Sequence, residues 1–158
     1  MKTINLSKGK QAIVDDEDFD YLSQWKWCVN SAGYAVRGVH HYENGKRKTT
    51  LILMHRIINE TPDGFYTDHA DGNPLNNARS NLRNATKGEN QRNMKLRKDS
   101  SSGVKGVQKN GKNWMAGIRV GGKRLHLGTY TSKELASQAY NEASLKIYGA
   151  FSATNRGL

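Results

Sequence analysis

Along the first third of the chain, apolar and polar positions alternate in short bursts, none long enough for an extended helix. Gln11-Ala12-Ile13-Val14 reads as a strand. Trp25-Lys26-Trp27-Cys28-Val29 and Tyr34-Ala35-Val36-Arg37-Gly38-Val39 read as hairpin arms turning at Asn30-Ser31-Ala32-Gly33. Another strand, residues 48–53, follows the turn Glu43-Asn44-Gly45 and leaves His40 and His41 exposed in a hairpin. The acids of residues 15–20 suit the start of a short helix, because carboxylates favour the positive end of the helix dipole. A solvated helix start outweighs a metal cluster as the reading of that run.

The middle of the chain changes period. Residues 54–59 predict a short helix that stops before Pro62-Asp63-Gly64, with His55 a structural or supporting side chain beside Met54 and Ile57. Thr67-Asp68-His69 ends a short strand, and residues 72–77 form a loop by composition. Asn81-Leu82-Arg83-Asn84-Ala85 returns as a second strand. Thr86, with Glu89 three residues on, makes a capping box for a helix running to about Arg97. The unit is strand, loop, strand, helix.

The last third is more regular. Residues 106–109, 113–120 and 123–130 read as three antiparallel strands, with turns at Asn110-Gly111-Lys112 and Gly121-Gly122. Thr131 or Ser132 caps a helix whose Leu135, Ala136, Ala139, Tyr140, Ala143 and Ile147 share one face, and Gly149 stops it. Lys98-Asp99-Ser100-Ser101-Ser102-Gly103 reads as a seam. The expected class is α+β: a β-rich unit over 1–98, a linker over 99–103, and a small sheet packed on one helix over 104–158.

Composition agrees with two small cores, since only 35% of the 158 residues are hydrophobic. Charge adds a partner. The net formal charge is +11; residues 1–99 carry +4 and residues 100–158 carry +7. A polyanion is the natural ligand, and the last third its gripping module. No run of about 18 apolar residues spans a bilayer, and the first residues lack an apolar signal segment. Cys28 is the lone cysteine, so neither an intrachain disulfide nor a structural zinc site of Cys-x-x-Cys type can form. An intracellular location and no membrane partner follow.

Asp68-His69 carries the chemistry. Phosphodiester hydrolysis needs a base held in one tautomer and a cation to neutralise developing charge. His69 titrates near neutrality and suits the base; Asp68, adjacent on a strand, points to the other face. A hard cation such as Mg²⁺ takes few protein oxygens. Asp68 and an asparagine carbonyl of the following helix suffice, and Asn90 and Asn93 share a face there. Asn81 can hydrogen-bond the imidazole and fix its tautomer. Asn73, Asn76 and Asn77 read as turn formers.

From His55 to Asn93 the chain resembles the HNH endonucleases of phage and intron-encoded homing type, through Asp68-His69, Asp71-Gly72-Asn73, Asn76-Asn77, Asn81-Leu82-Arg83, Thr86, Asn90 and Asn93. The likeness continues upstream through Gly9-Lys10, residues 14–18, Trp27, Gly33-Tyr34-Ala35 and Met54-His55-Arg56. It implies a ββα-metal fold and a metal-dependent DNA endonuclease. His69 would be the general base, Asn81 its orienting partner, and Asp68 and Asn90 the ligands of Mg²⁺ (or Mn²⁺). Asn90 stands where the last letter of the family name implies histidine, which leaves Asn93 as an alternative. Double-stranded DNA would be cut by a monomer or a DNA-assembled dimer. A non-catalytic DNA-binding protein on a decayed nuclease fold is the alternative function; RNA binding is a third.

From Gly103 to about Asn155 the chain resembles the AP-two (ethylene-response-factor) DNA-binding domain. The likeness rests on Gly106-Val107, Trp114, Ile118-Arg119, Leu127-Gly128-Thr129-Tyr130, Glu134-Leu135-Ala136, Ala139-Tyr140, Ala143 and Asn155. In that family the sheet enters the major groove. The resemblance implies Gln108, Lys109, Lys112, Trp114, Arg119, Arg124 and His126 at DNA. Strand alternation does not phase Trp114 securely; a core aromatic under the helix is its alternative reading, behind the DNA contact.

Overall fold

Ala12 and Val14 alternate with Gln11 and Ile13 on β2 (Gln11–Val14), and both are fully buried against Ile4 of β1 (Lys2–Asn5), its antiparallel partner. This computed structural model describes residues 1–93, 96, 100–152 and 154–155. It is an α+β chain of small antiparallel sheets that divides into two units, Met1–Asn90 and Gln91–Leu158.

In the first unit, α1 (Asp16–Leu22) follows β2 and buries Leu22, with its acids in the first turn as the dipole favours. β3 (Cys28–Val29) pairs with β4 (Ala35–Glu43), and β4 with β5 (Lys46–Leu53), in a sheet of order β3-β4-β5. Asn44 and Gly45 both have positive φ, +50° and +71°, the geometry of the two-residue hairpin turn that Asn-Gly favours. The hairpin is therefore longer than the sequence pattern suggests, its second strand starting at Lys46. Next come α2 (Met54–Ile58), β6 (Tyr66–His69) and β7 (Leu82–Ala85), and the unit ends within α3 (Lys87–Asn93). The expected extension of that helix to Arg97, and the expected seam at Lys98 and Asp99, fall outside the described residues.

One core joins these pieces. Ile4, Leu6, Ala12, Val14, Leu22, Trp27, Ala35, Met54, Ile58 and Leu82 form a single buried cluster. Burial of that apolar surface, at about 25 cal/mol per Å², is the main stabilising term. Leu82 brings β7 into this cluster, so the N-terminal strands and the β6–β7 ladder are one packed body.

The second unit has the sheet order β10-β9-β8, from β8 (Val107–Asn110), β9 (Asn113–Val120) and β10 (Lys123–Tyr130), with α4 (Lys133–Tyr148) packed on it. Ser132 caps α4, its hydroxyl accepting from Leu135 N at 3.2 Å. The apolar face differs from the periodic expectation. Ala136, Ser137 and Ser144 are buried, while Leu135 and Ile147 are exposed. Small residues face small residues here, Ala136 against Ala116, which brings helix and sheet close. A Cβ at Gly106 would run into the Tyr140 ring and the Gly117 carbonyl, another sign of that tightness. Asn155 fastens the end of the unit: its amide accepts from Lys105 N (2.7 Å) and donates to Lys105 O (3.1 Å). Asn141 repeats the clasp on the Asn155 backbone. Among the described residues no helix is long and apolar enough to cross a membrane.

Candidate active site

β6 and β7 pair with Asp68 opposite Arg83 and His69 opposite Leu82. Alternation sends the two neighbouring side chains to opposite faces. The Asp68 carboxylate is buried, and its Oδ2 accepts from Arg83 Nε (2.8 Å) and Nη2 (2.6 Å). The His69 imidazole turns inward and is also buried.

The strands are linked by a loop of asparagines that bond to one another. Asp71 accepts from Asn73 N (2.8 Å) and from Asn76 Nδ2 (2.8 Å). Asn81 donates to Asp71 Oδ1 and to the Asn76 carbonyl, and its Oδ1 accepts from Asp71 N. Burial alone would raise the Asp71 pKa; these hydrogen bonds outweigh it and hold the carboxyl below its ordinary value. The expectation that Asn81 bonds the imidazole is thus corrected. Its amide closes the loop, and its carbonyl accepts from Ala70 N (2.9 Å), fixing the backbone next to His69.

The imidazole's partner is Asn77, which is fully buried and which sequence reasoning places among the turn formers. His69 Nε2 lies 3.2 Å from Asn77 Oδ1. Asn77 Nδ2 faces the Leu75 carbonyl (3.4 Å) and Met54 Sδ (3.6 Å), so its oxygen is turned to the ring. Nε2 therefore carries the proton, and Nδ1 is the basic nitrogen. No spacing rule separates Asn77 from Asn76. Its burial arises because β2 docks on the loop, with Ile13 N donating to Leu75 O and Asn77 N to Ile13 O, both at 2.8 Å.

Two more rings meet His69. His55 stands edge-on with centroids 5.1 Å apart, and Tyr34 lies 5.8 Å from His69 and 4.9 Å from His55. Burial, with smaller effects from His69 and Arg56, pushes the His55 pKa down to about 3, so it is neutral at pH 7. Burial also lowers the His69 pKa, against raising effects of the Asn77 hydrogen bond, Asp71 and Asp68. Neutral imidazole is the form a general base needs. The apolar neighbours of His55 in the sequence do signal its burial; its contact with His69 has no local signal.

The acidic run is not merely solvated. Asp15 Oδ2 accepts from Arg79 N (2.7 Å), and Asp18 holds the Arg79 guanidinium (2.6 and 2.9 Å). The N-terminal segment therefore braces the loop from two sides, through β2 and through Arg79. At the far end, Thr86 and Glu89 form the expected capping box, with Thr86 N donating to Glu89 Oε2 at 2.7 Å. The half-buried Asn90 side chain has no hydrogen-bond partner among the described residues.

No cluster of three or more His, Cys, Asp or Glu able to hold a metal occurs among the described residues. Asp68 and Asn90, the expected ligands, each carry a hard oxygen, the donor type that suits a cation keeping water and phosphate in most of its shell. Arg83 contests the Asp68 carboxylate.

In the second unit the strand register sorts the expected DNA contacts. Gln108 pairs with Met115, Arg119 with Arg124, and Gly117 with His126. Gln108, Arg119, Arg124 and His126 thus share the face opposite the helix, and all are exposed. Trp114 is corrected: it lies on the helix side, packed on Val107, Ala116 and Ala136 with Tyr130 and Leu127. Lys109 pairs with Trp114 on that same side, its ammonium 5.9 Å from the ring, and Lys112 sits in the exposed β8–β9 turn.

Comparison with known proteins agrees with the geometry. Residues 53–92 match a family described as HNH endonuclease. An HNH endonuclease of Acanthamoeba polyphaga mimivirus is 34% identical over 151 residues, covering 94% of this chain and 76% of that protein. Protein 3.8 of Escherichia phage T7 is 37% identical over 92 residues, covering 57% of this chain and 75% of that protein.

Proposed function

Because this chain belongs to the HNH endonuclease family, enzymes that hydrolyse DNA, we propose that its first unit cuts the phosphodiester backbone with His69 as general base. The observation that carries the proposal is the buried His69 ring, held by Asn77 so that Nδ1 is basic. Nδ1 takes a proton from water, the water oxygen attacks phosphorus, and the bond to the 3′-oxygen breaks; that oxygen takes a proton from solvent, giving 5′-phosphate and 3′-hydroxyl ends. Asn77 fixes the ring along its plane. His55 and Tyr34 fix it from the sides and keep bulk water away. Asn81 holds the loop that carries these groups.

Asp68 and Asn90 would hold the divalent cation, most simply Mg²⁺, which supplies charge neutralisation at the phosphate and the leaving oxygen. Arg83, opposite Asp68, keeps that carboxylate neutralised in the absence of the cation. The second unit, in this proposal, is an AP-two-like DNA-binding module that meets duplex DNA with Gln108, Arg119, Arg124 and His126. One site per chain favours nicking by a monomer, with double-strand cutting where two copies meet. A homing role is part of the same proposal.

Plasmid nicking tests the assignment. Native protein should nick supercoiled DNA with Mg²⁺ and not with EDTA, and His69→Ala should lose about 10²–10⁴-fold, the usual contribution of a positioned base. Native-level nicking by His69→Ala would refute it.

A further inference from the structure

The β4–β5 ribbon plays no part in the site. Its root is packed: Ala35 and Val36 are buried, and the Arg37 guanidinium stacks 4.2 Å from the Trp25 ring centroid. Beyond the root, no residue from 38 to 51 is buried, and all but Val39 are exposed. β3 covers just the first two positions of β4, so the ribbon beyond them is two-stranded with both faces open. It extends about 20 Å at ~3.4 Å per residue. Such a ribbon gains little from burial and is marginal alone. It is held by its turn and by cross-strand pairs: His40 Nδ1 with Thr49 Oγ1 at 2.9 Å, and Lys48 with Glu43.

Charge gives the ribbon a partner. Residues 1–90 contain twelve Lys and Arg and eleven Asp and Glu; four of those basic residues and one acid lie within 37–52. The ribbon therefore carries +3 and the rest of the unit −2. A net-negative body is repelled by a polyanion, so its attraction must come from this projecting segment. One face of the ribbon presents His40, Tyr42, Arg47 and Thr49; the other presents His41 and Lys48. A two-stranded ribbon is also an element that the major groove of B-form DNA is wide enough to admit.

We propose that the β4–β5 ribbon is a DNA arm that lies in the major groove beside the cut site, with Lys46, Arg47 and Lys48 on phosphates and His40 and Tyr42 towards the bases. The substrate is taken from the nuclease reading; the test does not depend on it. Duplex binding is measured in EDTA, where nothing is cut. The full chain carrying Lys46→Gln, Arg47→Gln and Lys48→Gln should bind about 10–100-fold more weakly. Its salt slope should fall by about 2–3, near 0.9 for each phosphate that the variant leaves unneutralised. A second variant lacks the register pairs His41–Lys48 and Tyr42–Arg47, which keeps the turn and the alternation, and it should weaken binding at least as much. Ultraviolet crosslinking to duplex bearing 5-iodouracil, whose iodine lies in the major groove, should label the peptide containing Tyr42. Native affinity and salt slope in both variants would overturn the arm. So would crosslinks that leave the ribbon unlabelled, or weaker binding to anionic vesicles in place of duplex. If native protein binds through the ribbon and never cuts, the nuclease reading fails and the arm stands.

Discussion

Two antiparallel ribbons in the first unit are built on opposite terms. β6–β7 has four residue pairs, and Thr67, Asp68, His69, Leu82 and Ala85 are buried in it. β4–β5 has eight pairs, and beyond its root none of its side chains is buried. In the first, polar groups are fixed by named partners: Asp68 by Arg83, His69 by Asn77, Asp71 by Asn73, Asn76 and Asn81. In the second, charges stand in solvent with flexible stems. Bond cleavage needs a base held within a fraction of an ångström, and burial with hydrogen bonding provides that. Grip on a polyanion needs many mobile cations, and exposure provides those. One unit divides the two demands between two hairpins.

The most direct way to loosen the buried ribbon is at Asn77. Asn77→Leu removes the acceptor of the imidazole while roughly keeping its volume. We expect the cleavage rate to fall by about 10–100-fold, the scale for an orienting partner, with duplex affinity unchanged. A weakened affinity with an intact rate would show that Asn77 serves binding instead.

His55 gives the buried ribbon a pH signature. Its folded pKa of about 3 lies below the unfolded value of 6.5, so the unfolded chain takes up the proton first as pH falls. The stabilisation is complete above pH 6.5 and is lost as pH drops towards 3, at up to about 1.4 kcal/mol per pH unit. His55→Phe should flatten that slope in urea titrations between pH 4 and 6.5. An unchanged slope would remove His55 as its source.

Smaller effects are expected in the second unit, where the same division recurs within one sheet. Asn155→Ala should cost about 1–3 kcal/mol of stability by leaving the Lys105 backbone unpaired, seen as a lower denaturation midpoint. Arg119→Ala and Arg124→Ala should each weaken specific DNA binding by about 1–3 kcal/mol and leave the midpoint in place. Trp114→Ala should do the reverse, lowering the midpoint first. If Trp114→Ala instead abolished binding with stability intact, its place under the helix would be wrong.

Much of this is legible in the sequence where the signal is local. The Asn-Gly turn, the Thr86–Glu89 box, the α1 acidic start and the Ser132 cap all follow from neighbours within four residues. The rest depends on contacts between distant segments. Asn77 is defined by β2, more than sixty residues earlier, lying along its loop. Arg79 is held by Asp18, and the ring contact of Tyr34 with His69 crosses from the first hairpin to the second. Trp114 and Leu135 escape a local reading for a related reason: periodicity fixes which residues share a face, but not which face meets the other layer. Asn81 sits on the expected element with a different partner, since spacing alone cannot tell an imidazole from a backbone carbonyl.

A paired measurement on duplex DNA tests the division of labour most directly: affinity in EDTA, and the single-turnover cleavage rate with Mg²⁺ at saturating DNA. For His69→Ala, affinity should match native and the rate should fall by about 10²–10⁴-fold. For the Lys46, Arg47 and Lys48 to Gln triple variant, affinity should fall and the saturated rate should match native. A His69→Ala protein that cuts at the native rate would contradict the account.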